Sequence, residues 1–132
     1  MTFRSTSELV LVYHDAFHKG KKEAVRQLLL GDGEFTGPLN SYHDADKFLE
    51  GSAIFMRLSK NSAVRQVVAD GDHVCIIYDY RTIVPSIPVI PIVSWFQVES
   101  GKIKLFHTFF NPCPFLRAKE NEDVEKALKS VK

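Results

Sequence analysis

The sequence predicts an α+β domain with helices packed on one face of an antiparallel sheet. Two observations carry that expectation. Apolar residues follow helical spacing as far as Leu58 and strand-like spacing after it. Turn signals at Asp70-Gly71-Asp72 and Ser100-Gly101 then divide the second half into hairpin-connected strands. No internal repeat or low-complexity block interrupts the order.

Each element follows from local chemistry. Ser5 or Ser7 can cap a first helix, and Leu9, Val12, Tyr13, Ala16 and Phe17 form its apolar stripe. Gly20 ends it. A short second helix is expected at about 21–30, burying Val25, Leu28 and Leu29, and the GDG run at 31–33 stops it. Residues 34–36 suit a short strand closed by Gly37-Pro38. Asp44 caps a third helix, with Phe48, Leu49, Ile54, Phe55 and Met56 on or near its buried side. Strands are expected at 63–69, 74–82, 87–98 and 102–110. The prolines of PSIPVIPIV suit a strand's start or edge better than a polyproline recognition segment, because the run continues unbroken into VSWFQV. The domain is assigned to residues 1–116. Residues 117–132 make a charged tail, either frayed or a short helix with Val124, Leu128 and Val131 as its stripe.

A chain of 132 residues can bury one core of its own. A formal net charge of +1 gives no bulk attraction to nucleic acid. No apolar run reaches the ~18 residues that cross a bilayer, and MTFRSTSE lacks the apolar core of a signal peptide. No membrane association is therefore expected, and the location is expected to be cytoplasmic. Cys75 and Cys113 lack metal-like spacing and suit reduced thiols.

The last hairpin sets a register. With Ser100-Gly101 as a two-residue loop, Glu99 pairs with Lys102. Trp95 then faces Phe106, Val93 faces Thr108, Phe96 faces Leu105 and Ser94 faces His107. Both faces of the last strand are mostly apolar: Ile103, Leu105, His107 and Phe109 lie on one, Phe106, Thr108 and Phe110 on the other. The helices can cover only one. The other, carrying Phe96, Leu105, His107 and Phe109, is expected to meet a second copy in a homodimer.

Three stretches also carry a family likeness. GEFTGPLNSYHDADKFLEG, VADGDHVCIIYDYRT and VSWFQVESGKIKLFHTFFNP resemble, in order and spacing, the SnoaL-like branch of the nuclear transport factor two-like (ketosteroid isomerase-like) superfamily, over about residues 7–115. The resemblance implies a cystatin-like fold: a cone-shaped, strongly curved antiparallel sheet wrapped around three N-terminal helices, often dimeric. It also implies a hydrophobic pocket between helices and sheet. Members include isomerases, cyclases, dehydratases and proteins that only bind, so the likeness transfers fold further than function.

On that topology the pocket face would carry Val74, Ile76, Tyr78, Tyr80, Trp95, Phe106, Thr108 and Phe110, with Tyr13 and Phe17 looking in from the first helix. Such a cavity suits a small hydrophobic molecule, with tyrosine hydroxyls as polar handles. The competing reading is that these aromatics only fill a core. Likeness to ketosteroid isomerase puts the oxyanion tyrosine at Tyr13, the base aspartate at Gly37 and the protonated acid at Val93. With a carboxylate missing at both of the latter, steroid isomerisation of that type is not expected. Many SnoaL-like members end the last strand in Asp-Pro; this chain has Asn111-Pro112.

Other polar groups stand beside these. His14 and His18 have a spacing that permits a metal site. No third ligand is evident and Lys19, Lys21 and Lys22 follow, so a solvated helix face is expected, with no metal and no cofactor. His107 and Asp79 fall by parity on the face away from the pocket. Asp44 suits a cap and Asp46 the dipole of the third helix, next to His43. Tyr13, His43 and Asp46 are the candidates for acid–base chemistry. The function expected is small-ligand binding, with cofactor-free isomerase-, cyclase- or lyase-like chemistry if a carboxylate or histidine reaches the cavity. The alternative is a non-enzymatic ligand carrier or dimerisation module.

Overall fold

The computed structural model describes residues 3–130. The elements run α1 (Thr6–His18), α2 (Lys22–Leu28), β1 (Leu29–Thr36), β2 (Ser41–Tyr42), α3 (Ala45–Leu58), β3 (Ser59–Asp70), β4 (His73–Thr82), β5 (Ile90–Glu99), β6 (Lys102–Phe109), α4 (Cys113–Glu120) and α5 (Asp123–Ser130). Ser5 caps α1 by accepting from the Glu8 N–H, and Asp44 caps α3 by accepting from the Lys47 N–H. No helix among the described residues is long and apolar enough to cross a membrane.

One curved, unclosed six-stranded sheet has the order β2-β1-β6-β5-β4-β3. The β3–β6 meander is antiparallel, as expected. The sheet as a whole is mixed, because β1 lies parallel to β6. A parallel pair needs a long crossover connection, which α3 and the meander supply. β1 begins at Leu29, inside the expected second helix, and runs through the GDG segment that was expected only to break it. Gly33 makes that course possible. A Cβ there would sit 2.5 Å from the Lys104 carbonyl oxygen, so a side chain would push β1 off β6.

The register of the last hairpin differs from the expected one. Glu99–Lys102 and Val98–Ile103 pair as a two-residue turn demands, with φ of 53° at Ser100 and 75° at Gly101. The register then shifts between Gln97 and Val98, leaving Lys104 as the extra residue of a bulge. Beyond it Phe96 pairs with Phe106, Trp95 with His107, Ser94 with Thr108 and Val93 with Phe109. A slip of one residue exchanges the faces of a strand. Phe96, expected outside, is therefore in the core at 2% exposure, and Trp95, expected inside, lies on the outer face.

The core lies between α1, α2, α3 and the concave face, around Val10, Val25, Leu29, Phe35, Ile76 and Ile103. The charged tail folds back on it. Phe115 and Ala118 of α4 and Ala127 of α5 are buried, and Val124 and Leu128 pack against the core. Val131, the third residue of the expected stripe, lies outside the described residues. The Ser86 hydroxyl donates to Asp123 at 2.7 Å, tying α5 to the loop before β5.

Candidate functional site

A cavity of about 130 Å³ opens between α1, α3, the concave face and α4. Helix α1 contributes Tyr13, His14, Phe17 and His18; the sheet contributes Tyr78, Tyr80, Ser94, Phe96, Phe106 and Thr108. Phe48, Ser52 and Phe55 of α3 form a second wall, the 37–40 turn meets the mouth, and Phe110 and Phe115 close the far side. Among the described residues, no Asp, Glu, Lys or Arg lines it. The wall is a continuous aromatic shell. The Tyr13 ring meets Phe96 edge-on at 5.6 Å, Phe48 meets Phe106 at 5.1 Å, and Tyr80 stacks on Phe115 at 6.2 Å.

The polar groups on this wall differ in how well they are partnered. Tyr80 donates its hydroxyl to the Phe55 carbonyl at 2.8 Å. Ser94 and Thr108 share a hydrogen bond of 2.9 Å across the β5–β6 pair. The Tyr13 hydroxyl has no side-chain or backbone partner among the described residues. No sealed side-chain polar atom is left unsatisfied, so that hydroxyl keeps contact with open space. Burial raises Tyr13 well above the usual phenol range, and the nearby Tyr78 adds to the effect. Burial also pushes Tyr78 up to about 12, with a Ser94 hydrogen bond working against the shift. All these hydroxyls are neutral donors at physiological pH.

His14 and His18 overturn one expectation. They do not form a solvated helix face. His14 is buried at 7% exposure, His18 is half-buried, and both line the cavity. The apolar stripe of α1 is rotated toward them, leaving Val12, expected inside, 38% exposed. His14 Nε2 bonds the Ser62 hydroxyl, and His18 Nδ1 bonds that of Ser59 at 2.9 Å. The two rings lie 4.4 Å apart, and His14 meets Tyr78 edge-on at the same distance. Burial lowers His14 to about 4, and the neighbouring Asp15 opposes that only partly. Burial, followed by repulsion from His14, lowers His18 to about 3. Both imidazoles are therefore uncharged at neutral pH.

The expected site residues divide cleanly. Tyr13, Phe17, Tyr78, Tyr80, Phe106, Thr108 and Phe110 line the cavity. Trp95 does not; its indole N–H donates to His73 Nδ1 at 3.0 Å on the outer face. Leu105, His107 and Phe109 share that outer face, whereas Phe96 has joined the cavity wall. Asp79 pairs with Arg65 at 2.9 Å and not with His107, which stacks on Phe109. His43 is exposed, and Asp46 bonds Arg26 at 2.8 Å with a side chain 76% exposed; neither lines the cavity. Gly37 does, without a carboxylate, while Val93 points outward and its neighbour Ser94 points in. Asn111 serves the backbone, accepting from the Cys113 N–H at 3.1 Å.

Tyr42 and Phe115 are wall residues that the sequence reading did not find. Tyr42 occupies space left by Gly51, where any Cβ would collide with its ring. The signal missed for the histidines was their own spacing, which matches that of Tyr13 and Phe17 one position earlier.

Comparisons place this geometry among known folds. The model of the SnoaL-like domain family matches residues 10–106. A solved protein from Kribbella flavida DSM 17836 superposes with a TM-score of 0.81 at 25% identity, covering 90% of this chain and 98% of that one. A nuclear transport factor two-like protein of unknown function from Cytophaga hutchinsonii ATCC 33406 gives 0.73 at 24% identity, over 87% and 97% of the two chains. A protein of ketosteroid isomerase-like fold from Catenulispora acidiphila DSM 44928, solved with trimethylamine, gives 0.69 at 17% identity, over 81% and 88%. No curated protein matches the sequence.

Proposed function

The chain belongs to the SnoaL-like domain family, and we propose that it binds a small, largely apolar molecule in the cavity between helices and sheet. The observation that carries this reading is the Tyr13 hydroxyl, an unpartnered donor on an aromatic wall without charged groups. A filled core would bond that hydroxyl internally, as Tyr80 is bonded. The complex of one structural neighbour with trimethylamine is consistent with small-molecule binding in this fold.

Thermal shift against a panel of hydrophobic carbonyl compounds tests the reading. A ligand is expected to raise the melting temperature of the wild type and to lose about tenfold in affinity in Tyr13→Phe. No shift with any compound would mean that the aromatics only fill the core.

The cavity histidines extend the reading to cofactor-free acid–base chemistry. A neutral imidazole beside a bound molecule can take up a proton, and it is the residue type most often used for that task. His14 and His18 replace His43 and Asp46 as the groups placed to do so. The absence of any lining carboxylate supports the second reading, a carrier without turnover. Exchange of solvent deuterium into the α-carbon of a bound carbonyl compound separates the two: exchange that depends on the histidines is the signature of an enzyme.

The outer face is proposed as a homodimer interface. Phe109 is 52% exposed and Val93 38%, beside Trp95, Leu105 and His107, and no helix among the described residues covers them. Cys75 and Cys113 are free thiols, which supports a reducing, cytoplasmic setting.

A further inference from the structure

Resting on the cavity reading above, we infer that the ligand is a single-ring compound with a weakly acidic hydroxyl, a phenol or cyclic enol. It is bound uncharged, with that hydroxyl donated to an imidazole of the His14–His18 pair.

Size narrows the ligand first. The cavity measures about 130 Å³, and an apolar protein cavity of about 150 Å³ accommodates benzene. One ring fits inside it; a polycyclic ligand would have to extend through the open mouth. The walls offer edge and face contacts from Phe17, Phe48, Phe96 and Phe106.

The imidazoles define the polar end. Burying an imidazole costs free energy unless its nitrogens are partnered. Each ring has one nitrogen held by a serine of β3, Ser62 for His14 and Ser59 for His18. The second nitrogen of each has no protein partner among the described residues and is not sealed from solvent-sized space. The serine hydroxyl rotates, so it can donate or accept, and its choice fixes the tautomer. When the serine accepts, the second nitrogen is a bare acceptor. A ligand O–H selects that tautomer. A ketone would pair only with the opposite tautomer, in which the serine donates and the second nitrogen carries the proton, and a hydrocarbon would leave that nitrogen unpaired.

Charge decides the ionisation state. No cation lines the cavity to offset a phenolate. Around the pair, α1 places Asp15, which is tied to Lys19 at 3.1 Å, and β4 places the neutral Tyr78 and Tyr80. Strand β3 presents Ser59 and Ser62 to the rings. With imidazoles uncharged at neutral pH and no cation among the described lining residues, the phenol keeps its proton and its ionisation is pushed to higher pH.

4-Nitrophenol, coloured when ionised, and its methyl ether 4-nitroanisole provide the test on the full chain. At a pH where half of the free dye is ionised, binding is expected to bleach the coloured band and raise the dye's apparent pKa by about one unit or more. The ether is expected to bind about tenfold more weakly than the phenol. In His14→Phe and His18→Phe that preference should shrink while ether binding persists. If neither variant folds, the wild-type bleaching and the phenol-to-ether ratio decide alone. Retention of the coloured band in the complex, or equal binding of ether and phenol, overturns the inference and leaves the cavity reading standing. Failure of both compounds to bind overturns the inference, and the cavity reading then stands or falls on the carbonyl panel.

Discussion

The two faces of the sheet are built from the same four strands of the meander and do opposite things. On the concave face β4 and β5 bury Val74, Ile76, Tyr78, Tyr80, Ile92, Ser94 and Phe96. On the convex face the alternate residues Cys75, Ile77, Trp95 and Gln97 are only half-buried, and Phe109 stands 52% exposed. Three helices, later joined by α4, close over the first face and leave a cavity there; no helix among the described residues closes over the second. A period-two backbone can thus carry the proposed small-molecule site and the proposed assembly surface on opposite faces of one sheet.

Truncating across the β5 parity is the strongest way to break that contrast. Phe96→Ala is expected to cost about 3–5 kcal/mol in urea denaturation, as for other buried phenylalanines. Trp95→Ala, one residue away, should cost less than about 2 kcal/mol in the monomer, because its ring is partly solvated. Equal losses would show that the bulge at Lys104 is wrongly placed and that the expected register holds after all.

Acid should loosen the concave face next. The folded-state values of His14 and His18, about 4 and about 3, lie below the ordinary 6.5. Below pH 6.5 the unfolded chain therefore binds protons that the folded chain does not. Stability is fully present above about pH 6.5 and falls as pH drops toward the folded values, with a limiting slope of about 1.4 kcal/mol per pH unit for each histidine. His18→Phe should flatten the curve, and a wild-type profile flat from pH 7 to 4.5 would contradict the burial of the pair.

Charge on the convex face has a smaller expected effect. His107→Glu or Phe109→Glu should weaken the proposed homodimer by about tenfold or more, read by sedimentation at micromolar concentration. Cavity ligands should bind these variants as they bind the wild type. Variants that sediment like the wild type would exclude this face as the interface.

The legibility of the fold follows the same division. Capping by Ser5 and Asp44, the turn at Ser100-Gly101 and the helix-to-strand change after Leu58 depend on near neighbours in the chain, and they were readable. The parallel β1–β6 pair was not, because it rests on Gly33 meeting a backbone carbonyl from the far end of the sequence. The bulge at Lys104 was not, because alternation of Ile90, Ile92, Ser94, Phe96 and Val98 specifies a buried face without saying which partner residue is skipped. In the cavity, aromatics were legible as an apolar face. His14 and His18 were not, because a histidine followed by lysines looks solvated until β3 supplies Ser59 and Ser62 from more than forty residues away.

The most direct measurement is a pH titration of the imidazole nitrogens by NMR, with His14 and His18 assigned by substitution. Both rings are predicted to stay largely neutral down to about pH 5, with His18 charging last, because helix, sheet and serines hold them in the cavity wall. Titration of both near 6.5 would place them in solvent and remove the polar end of the proposed site.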